Sequence, residues 1–260
     1  MHFVLSIMHK RLLVLLFFTC SGISAQTLEP IQIDRPDQTE CPFITPKHFI
    51  QVENGLNYEQ NDANSKAFVH PTTLWKYGVN EKFEWRLITE VITDKSGDRS
   101  ITGLQPITLG FKSALMEEKG ILPQTSFIGH ITTSNWGSSA FKAAYPSPAF
   151  RFTMQHTLSD RLSLSYNLGM EWNGFQAAPK YIYTLASGFG FTDKLGAYAE
   201  LYGFIADGGT PDHRCDGGIT YLLSDHVIAD LSGGVGLSDI SPDGYVALGF
   251  SFRFNTRRSK

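Results

Sequence analysis

Residues 162–172 read LSLSYNLGMEW. In an extended chain Leu162, Leu164, Tyr166, Leu168, Met170 and Trp172 fall on one side and Ser163, Ser165, Asn167, Gly169 and Glu171 on the other. That follows because successive strand side chains alternate between faces. A helix would scatter the same residues around its circumference, so the stretch reads as a strand. The segment ending at Phe254 repeats the pattern: Val246, Leu248, Phe250, Phe252 and Phe254 alternate with Ala247, Gly249, Ser251 and Arg253.

Between such runs stand short clusters of one form, an apolar residue, a small polar one, an acid, a base and a second apolar one. They are VNEKF (79–83), LSDRL (158–162), FTDKL (191–195) and LSDHV (223–227). Asn, Asp, Ser and Thr favour tight turns because their side chains bond the local backbone. A looser turn, EEKG (117–120), divides the long gap between the first two. Longer loops rich in Gly, Asp, Ser and Pro fill the remaining connections. This punctuation predicts twelve antiparallel strands near 48–58, 67–79, 82–92, 104–115, 122–134, 147–158, 161–172, 179–192, 194–206, 213–223, 226–237 and 244–254.

Sorting those strands by parity separates two chemistries. One face carries Val69, Trp75, Tyr77, Phe83, Trp85, Leu87, Leu109, Phe111, Phe127, Ile131, Phe150, Phe152, Tyr181, Tyr183 and Phe189. The other carries Glu53, Lys76, Glu84, Arg86, Glu90, Lys112, His130, Arg151, Glu171, Lys180, Glu200, Arg214, Asp216, Asp230 and Arg253. A soluble sheet with one wet face would also separate them. Strand length discriminates, because about 12 residues is long for a sandwich and suits a tilted membrane strand. An even strand number, with short turns at one end and longer loops at the other, is the layout of an outer-membrane barrel. The fold expected is therefore all-β, a transmembrane antiparallel up-and-down barrel of about twelve strands.

The N-terminus fits export. His9, Lys10 and Arg11 precede the apolar run Leu12 to Phe18, and small residues follow as far as Ala25. That order is a signal peptide over residues 1–25, leaving 26–47 on the periplasmic side and 48–260 as the barrel. No run approaches the length of a membrane-spanning helix. A net charge of −3 without basic blocks argues against nucleic acid as a partner. The expected partners are outer-membrane lipid and a small-molecule permeant, in the outer membrane of a Gram-negative-type bacterium.

The stretches DRPDQTE (34–40), PAFR (148–151), HTLSDRL (156–162), YNLG (166–169), DGGITYLL (216–223) and DLSGGVGL (230–237) resemble the phenol-degradation meta-pathway family of outer-membrane proteins. The resemblance runs from about residue 34 to the C-terminus. It implies a β-barrel transporter linked to small, often aromatic, molecules. Cys41 stands where a small polar residue is expected, and whether it pairs with Cys215 is left open by the sequence.

The inward charges are the permeation candidates: Glu53, Lys76, Glu84, Arg86, Glu90, Lys112, His130, Arg151, Glu171, Glu200, Arg214, Asp216, Asp230 and Arg253. Opposite charges in a lumen either select permeants or pair and fill it. Tyr198, Tyr202 and Phe204 share the inward side with Glu200 and would suit an aromatic ligand or simple packing. Asp34, Arg35, Asp37 and Glu40 would let residues 26–47 meet the lumen charges as a plug. Pro36, Pro42 and Pro46 stiffen that segment and lower the entropy lost on fixing it. A leader lying outside the barrel is the alternative.

Catalysis is not expected. The histidines show no metal-ligand spacing, and no Gly-x-Ser-x-Gly elbow occurs. Ser126, His130 and Asn135 evoke a lipid hydrolase, but Ser126 and His130 face inward, away from lipid. The acidic loop DGGTPDH (207–213) reads as a solvated turn more readily than as a Ca²⁺ site. No cofactor or metal is called for. The reading is a conduit for small molecules, with a non-conducting structural or surface-binding barrel as the alternative.

Overall fold

The computed structural model describes residues 28–257. The leader expected over residues 1–25 lies outside them. Thirteen strands follow one another: β1 (Phe49–Asp62), β2 (Ser65–Asn80), β3 (Phe83–Ser96), β4 (Arg99–Leu104), β5 (Thr108–Met116), β6 (Gln124–Thr132), β7 (Ser147–Ser159), β8 (Leu162–Glu171), β9 (Lys180–Gly190), β10 (Leu195–Ala206), β11 (Asp212–Ser224), β12 (Val227–Gly236) and β13 (Gly244–Asn255). Every neighbour pairs antiparallel, and β1 pairs with β13 to close the sheet on itself. Closure removes the free edge from the wall, as the hydrocarbon of a membrane requires, except at β4, which pairs on one side only, with β3.

β4 and β5 occupy a single position in the wall. Both pair with β3, β4 along Val91–Ser96 and β5 along Phe83–Ile88, so the barrel has twelve staves. The sequence suggested one strand over 104–115. Pro106 breaks it, because proline has no N–H to give the ladder. Loop residues seal the break: Ile107 N donates to Trp136 O at 3.0 Å, Thr133 N to Ile107 O at 2.9 Å and Ser138 N to Leu104 O at 2.8 Å.

Two further expectations need correction. The far-end loops are not uniformly long, since β1–β2 and β3–β4 close in tight turns whose strands begin at Ser65 and Arg99. Val69 is not on the apolar face. A bulge between Val69 and Thr72, at His70 and Pro71, resets the parity of β2. Val69 therefore pairs with Asn57 and Ile92 and shares their lumen side.

The two faces reverse the usual order of a soluble protein. Trp85 is 56% exposed and Leu168 55%, while Glu53, Glu84 and Lys112 are wholly buried. Lipid replaces water as the outer solvent, so the apolar face stays outside and polar side chains fill the interior. Aromatic contacts such as Phe83 against Trp85 and Phe111 against Phe127 run along the outer face.

Candidate functional site

Residues 28–47 do not lie outside the wall. They enter through the end that carries the short turns, bend over residues 36–39 and return to the same end. On one leg Ile31 N donates to Asp225 O at 3.0 Å, and the Arg253 guanidinium donates to the Glu29 carbonyl. On the other, Lys47 bridges Gly78, and His48 N donates to Gly78 O at 2.8 Å. Gly78 is required at this crossing, because a Cβ there would strike the Thr45 and Pro46 carbonyls. The prolines keep the legs extended.

The centre of the arrangement is Asp34. Its carboxylate accepts from Lys112 Nζ at 2.6 Å, Lys76 Nζ at 2.9 Å and Arg86 Nη1 at 3.0 Å. Cys41 N donates to the same carboxylate at 3.1 Å, and Asp34 N donates to Glu53 Oε2 at 2.9 Å. Glu53 in turn meets Lys76 at 2.6 Å, and Glu84 meets Arg86 at 3.4 Å while accepting Thr45 N at 2.6 Å. Glu40 sits 2.5 Å from Arg86 and 4.0 Å from Arg151. Four acids thus face four bases in one network. Buried charges are sustained when paired and hydrogen-bonded in this way.

The remaining contacts ring the tip. Gln38 N and the Thr39 hydroxyl donate to Glu200, and the Thr39 and Thr184 hydroxyls meet at 2.6 Å. Asn167 and Glu40 exchange a reciprocal pair, at 2.8 and 3.0 Å. Arg151 donates to Gln38 O at 2.9 Å. Arg35 pairs with Asp230 at 3.2 Å, its guanidinium lying against Gly55, where a Cβ would displace it. Asp37 has no ion-pair partner among the described residues.

The other inward candidates are spread along the lumen. Glu90 bonds the Thr72 hydroxyl, and Arg214 pairs with Asp212 at 2.7 Å and Glu59 at 3.4 Å. Asp216 accepts from the Tyr245 hydroxyl at 2.5 Å. His130 lies over Gly110 with Nε2 unpartnered. Glu171 and Lys180, paired in register, stand at the far rim, where Lys180 is exposed. Arg253 anchors the near end through Glu29 and Asp225. Beyond the tip Tyr202 and Phe204 meet edge to face, with Arg214 5.6 Å over the Phe204 ring.

The inward candidates read from the sequence omit Gln51 and Asn167 and weigh Ser126 only beside His130 and Asn135, yet all three hold the segment as firmly as the charges do. Gln51 Nε2 donates to Gln32 O at 2.6 Å, and the Ser126 hydroxyl donates to the Pro42 carbonyl. Their inward parity was the available signal. That hydrogen bond commits Ser126 to the segment, and Asn135 lies apart from it in an exposed loop. Cys41 and Cys215 are both free thiols: Cys41 is on the segment, whereas Cys215 is opposite outward-facing Leu201. Among the described residues no group of His, Cys, Asp and Glu is arranged to hold a metal ion.

A family model described as "Putative MetA-pathway of phenol degradation" matches residues 33–254. The chain belongs to this family. No curated protein matches it. Among solved structures, this family member is similar to an outer-membrane channel from Pseudomonas putida F1, with a TM-score of 0.61 at 11% identity, covering 85% of this chain and 99% of that one. It is also similar to the NanC porin, with a TM-score of 0.52 at 8% identity over 78% of this chain and 98% of that one. A KdgM porin in complex with disordered oligogalacturonate gives 0.50 at 11% identity, over 79% and 99%. At such identities the likeness is one of fold, an outer-membrane barrel.

Proposed function

We propose that this protein is an outer-membrane channel or transporter for small molecules, aromatic and other hydrophobic ones among them. Solutes pass by passive or selective diffusion, and residues 28–47 act as a plug that narrows the lumen from the periplasmic side. The observation carrying this reading is the Asp34 network, in which a segment that is no part of the wall places one carboxylate among Lys76, Arg86 and Lys112 on three different strands. Lys76 and Arg86 also meet Glu53 and Glu84 of the wall, but among the described residues Lys112 meets a carboxylate only on the segment, a pairing that a wall built only for stability would supply from its own strands. The family's link to phenol degradation, the relatives named as a channel and porins, and the aromatic side chains beyond the tip support the choice of small molecules.

Planar-bilayer conductance tests it. The mature protein is expected to conduct weakly, and a variant lacking residues 28–47 strongly. The balance of acids and bases around Asp34 favours a second reading, a non-conducting barrel sealed by its own charges. Silence in both proteins would establish that second reading.

A further inference from the structure

All the bases of the Asp34 network belong to the wall, but only half of its acids do. The strands supply Lys76, Arg86, Lys112 and Arg151 against Glu53 and Glu84, and Asp34 and Glu40 of the segment make up the difference. The two segment carboxylates are not held alike. The Asp34 side chain is 3% exposed and accepts from three bases. The Glu40 side chain is 14% exposed; its Oε2 meets Arg86 Nη2 at 2.5 Å, but Oε1 stands 4.0 Å from Arg151 Nη1, beyond hydrogen-bond reach. Among the described residues Arg151 gives one hydrogen bond, to Gln38 O, and its side chain is 16% exposed. His130 lies on the same row of the wall as Arg86, across Gly110, with Nε2 unpartnered.

The open side of this group faces away from the periplasm. One inward step nearer the periplasm, Ser126, Thr153 and Asn167 stand side by side on β6, β7 and β8 and are wholly buried. One step nearer the far rim stands Ala149, half-buried, and beside Arg151 lies Gly169, where a Cβ would press on Arg151 Cγ. We infer that this floor is a binding site for a small organic carboxylate, taken by Arg151 and Arg86 with His130 beside them, and that Glu40 is a built-in occupant with which the free carboxylate competes. The inference rests on the conduit reading above and narrows its permeant to an organic anion. Guanidinium groups suit a carboxylate because their paired donors match its two oxygens. Glu40 engages Arg86 through one oxygen and leaves Arg151 without a close carboxylate. A solute arriving from the extracellular side meets Arg151 without passing the tip. Replacing Glu40 on Arg86 then frees one of the contacts that hold the returning leg of the segment.

Calorimetric titration of the folded protein in detergent, with benzoate and with benzyl alcohol as its uncharged counterpart, tests the site without depending on conduction. Benzoate is expected to bind and benzyl alcohol is not. Glu40→Gln removes the occupant's charge and is expected to tighten benzoate binding by about tenfold, as for a site that Glu40 leaves free about a tenth of the time. Arg151→Gln is expected to lose benzoate binding. Heat-modifiable gel migration shows that each barrel has folded. Should Arg151→Gln fail to fold, Ala149→Glu takes its place, since a fixed carboxylate beside Arg151 must exclude benzoate. Equal binding of the two solutes, benzoate binding unchanged in Arg151→Gln or Ala149→Glu, or binding no tighter in Glu40→Gln would overturn the site. Absence of benzoate binding, with strong conductance in the variant lacking residues 28–47, would overturn the site and leave the conduit standing. Benzoate binding to a protein that is silent with and without those residues would uphold the site and overturn the conduit.

Discussion

Asp34 gathers Lys76, Arg86 and Lys112 from strands 42, 52 and 78 residues further along the chain. Replacing it by alanine leaves buried Lys112 without an ion-pair partner among the described residues and deprives Lys76 and Arg86 of one of theirs. Breaking such a buried pair from one side typically costs about 3–5 kcal/mol. Asp34→Ala should therefore lower the thermal midpoint of heat-modifiable migration and raise conductance towards that of the variant lacking residues 28–47. An unchanged midpoint and unchanged current would remove Asp34 from the account. The carboxylates at 34, 37 and 40 are visible in the sequence, and so is the inward parity of Lys76, Arg86 and Lys112. Which acid meets which base is not visible, because those pairings depend on how deep the segment reaches into the barrel. Asp37, three residues from Asp34, finds no base among the described residues. Nothing local separates the two.

At the scale of the element, the strands were legible because alternation and turn chemistry agree along most of the chain. The turns VNEKF, LSDRL, FTDKL and LSDHV each join consecutive strands, and β13 ends one residue from its expected limit. Legibility failed where a proline acts through the ladder. Pro106 divides one stave into β4 and β5, and the bulge at Pro71 moves Val69 to the lumen side. A parity count across such a site slips by one, and every side chain beyond it changes face. Residues 28–47 show the reverse case: a segment without repeating structure, whose order comes from contacts with the wall. Gly55 is one such contact, leaving room for the Arg35 guanidinium beside Asp230. Gly55→Leu should expel Arg35 and loosen that leg of the segment. Limited digestion of the folded protein with endoproteinase Asp-N would then cut before Asp34 faster than in the native chain. Equal cutting rates would mean that Gly55 does not hold the leg.

For the whole molecule, the decisive feature is the inversion of its faces. Leu168 lies mid-strand on β8 and is 55% exposed, yet in a membrane its surroundings are hydrocarbon. Leu168→Arg should destabilise the barrel by about 2–4 kcal/mol in lipid. A soluble sheet would accept that change at an exposed position almost without cost. Equilibrium unfolding in lipid vesicles reads the difference, and a shift near zero would argue against lipid on that face. The barrel and its inside-out chemistry could be read from composition, period and strand length. The filling of the lumen could not, since it depends on three-dimensional contacts between a short segment and many strands. The central claim, that residues 28–47 occupy the lumen and narrow it, has a direct measurement. The hydroxyls of Thr39 and Thr184 stand 2.6 Å apart. In a Cys41→Ser, Cys215→Ser background, Thr39→Cys with Thr184→Cys should form a disulfide in the folded, membrane-inserted protein, detected by mass spectrometry. The oxidised form should conduct no more than the native protein. Failure to cross-link, with Thr39→Cys instead freely modified by a membrane-impermeant maleimide, would contradict the account.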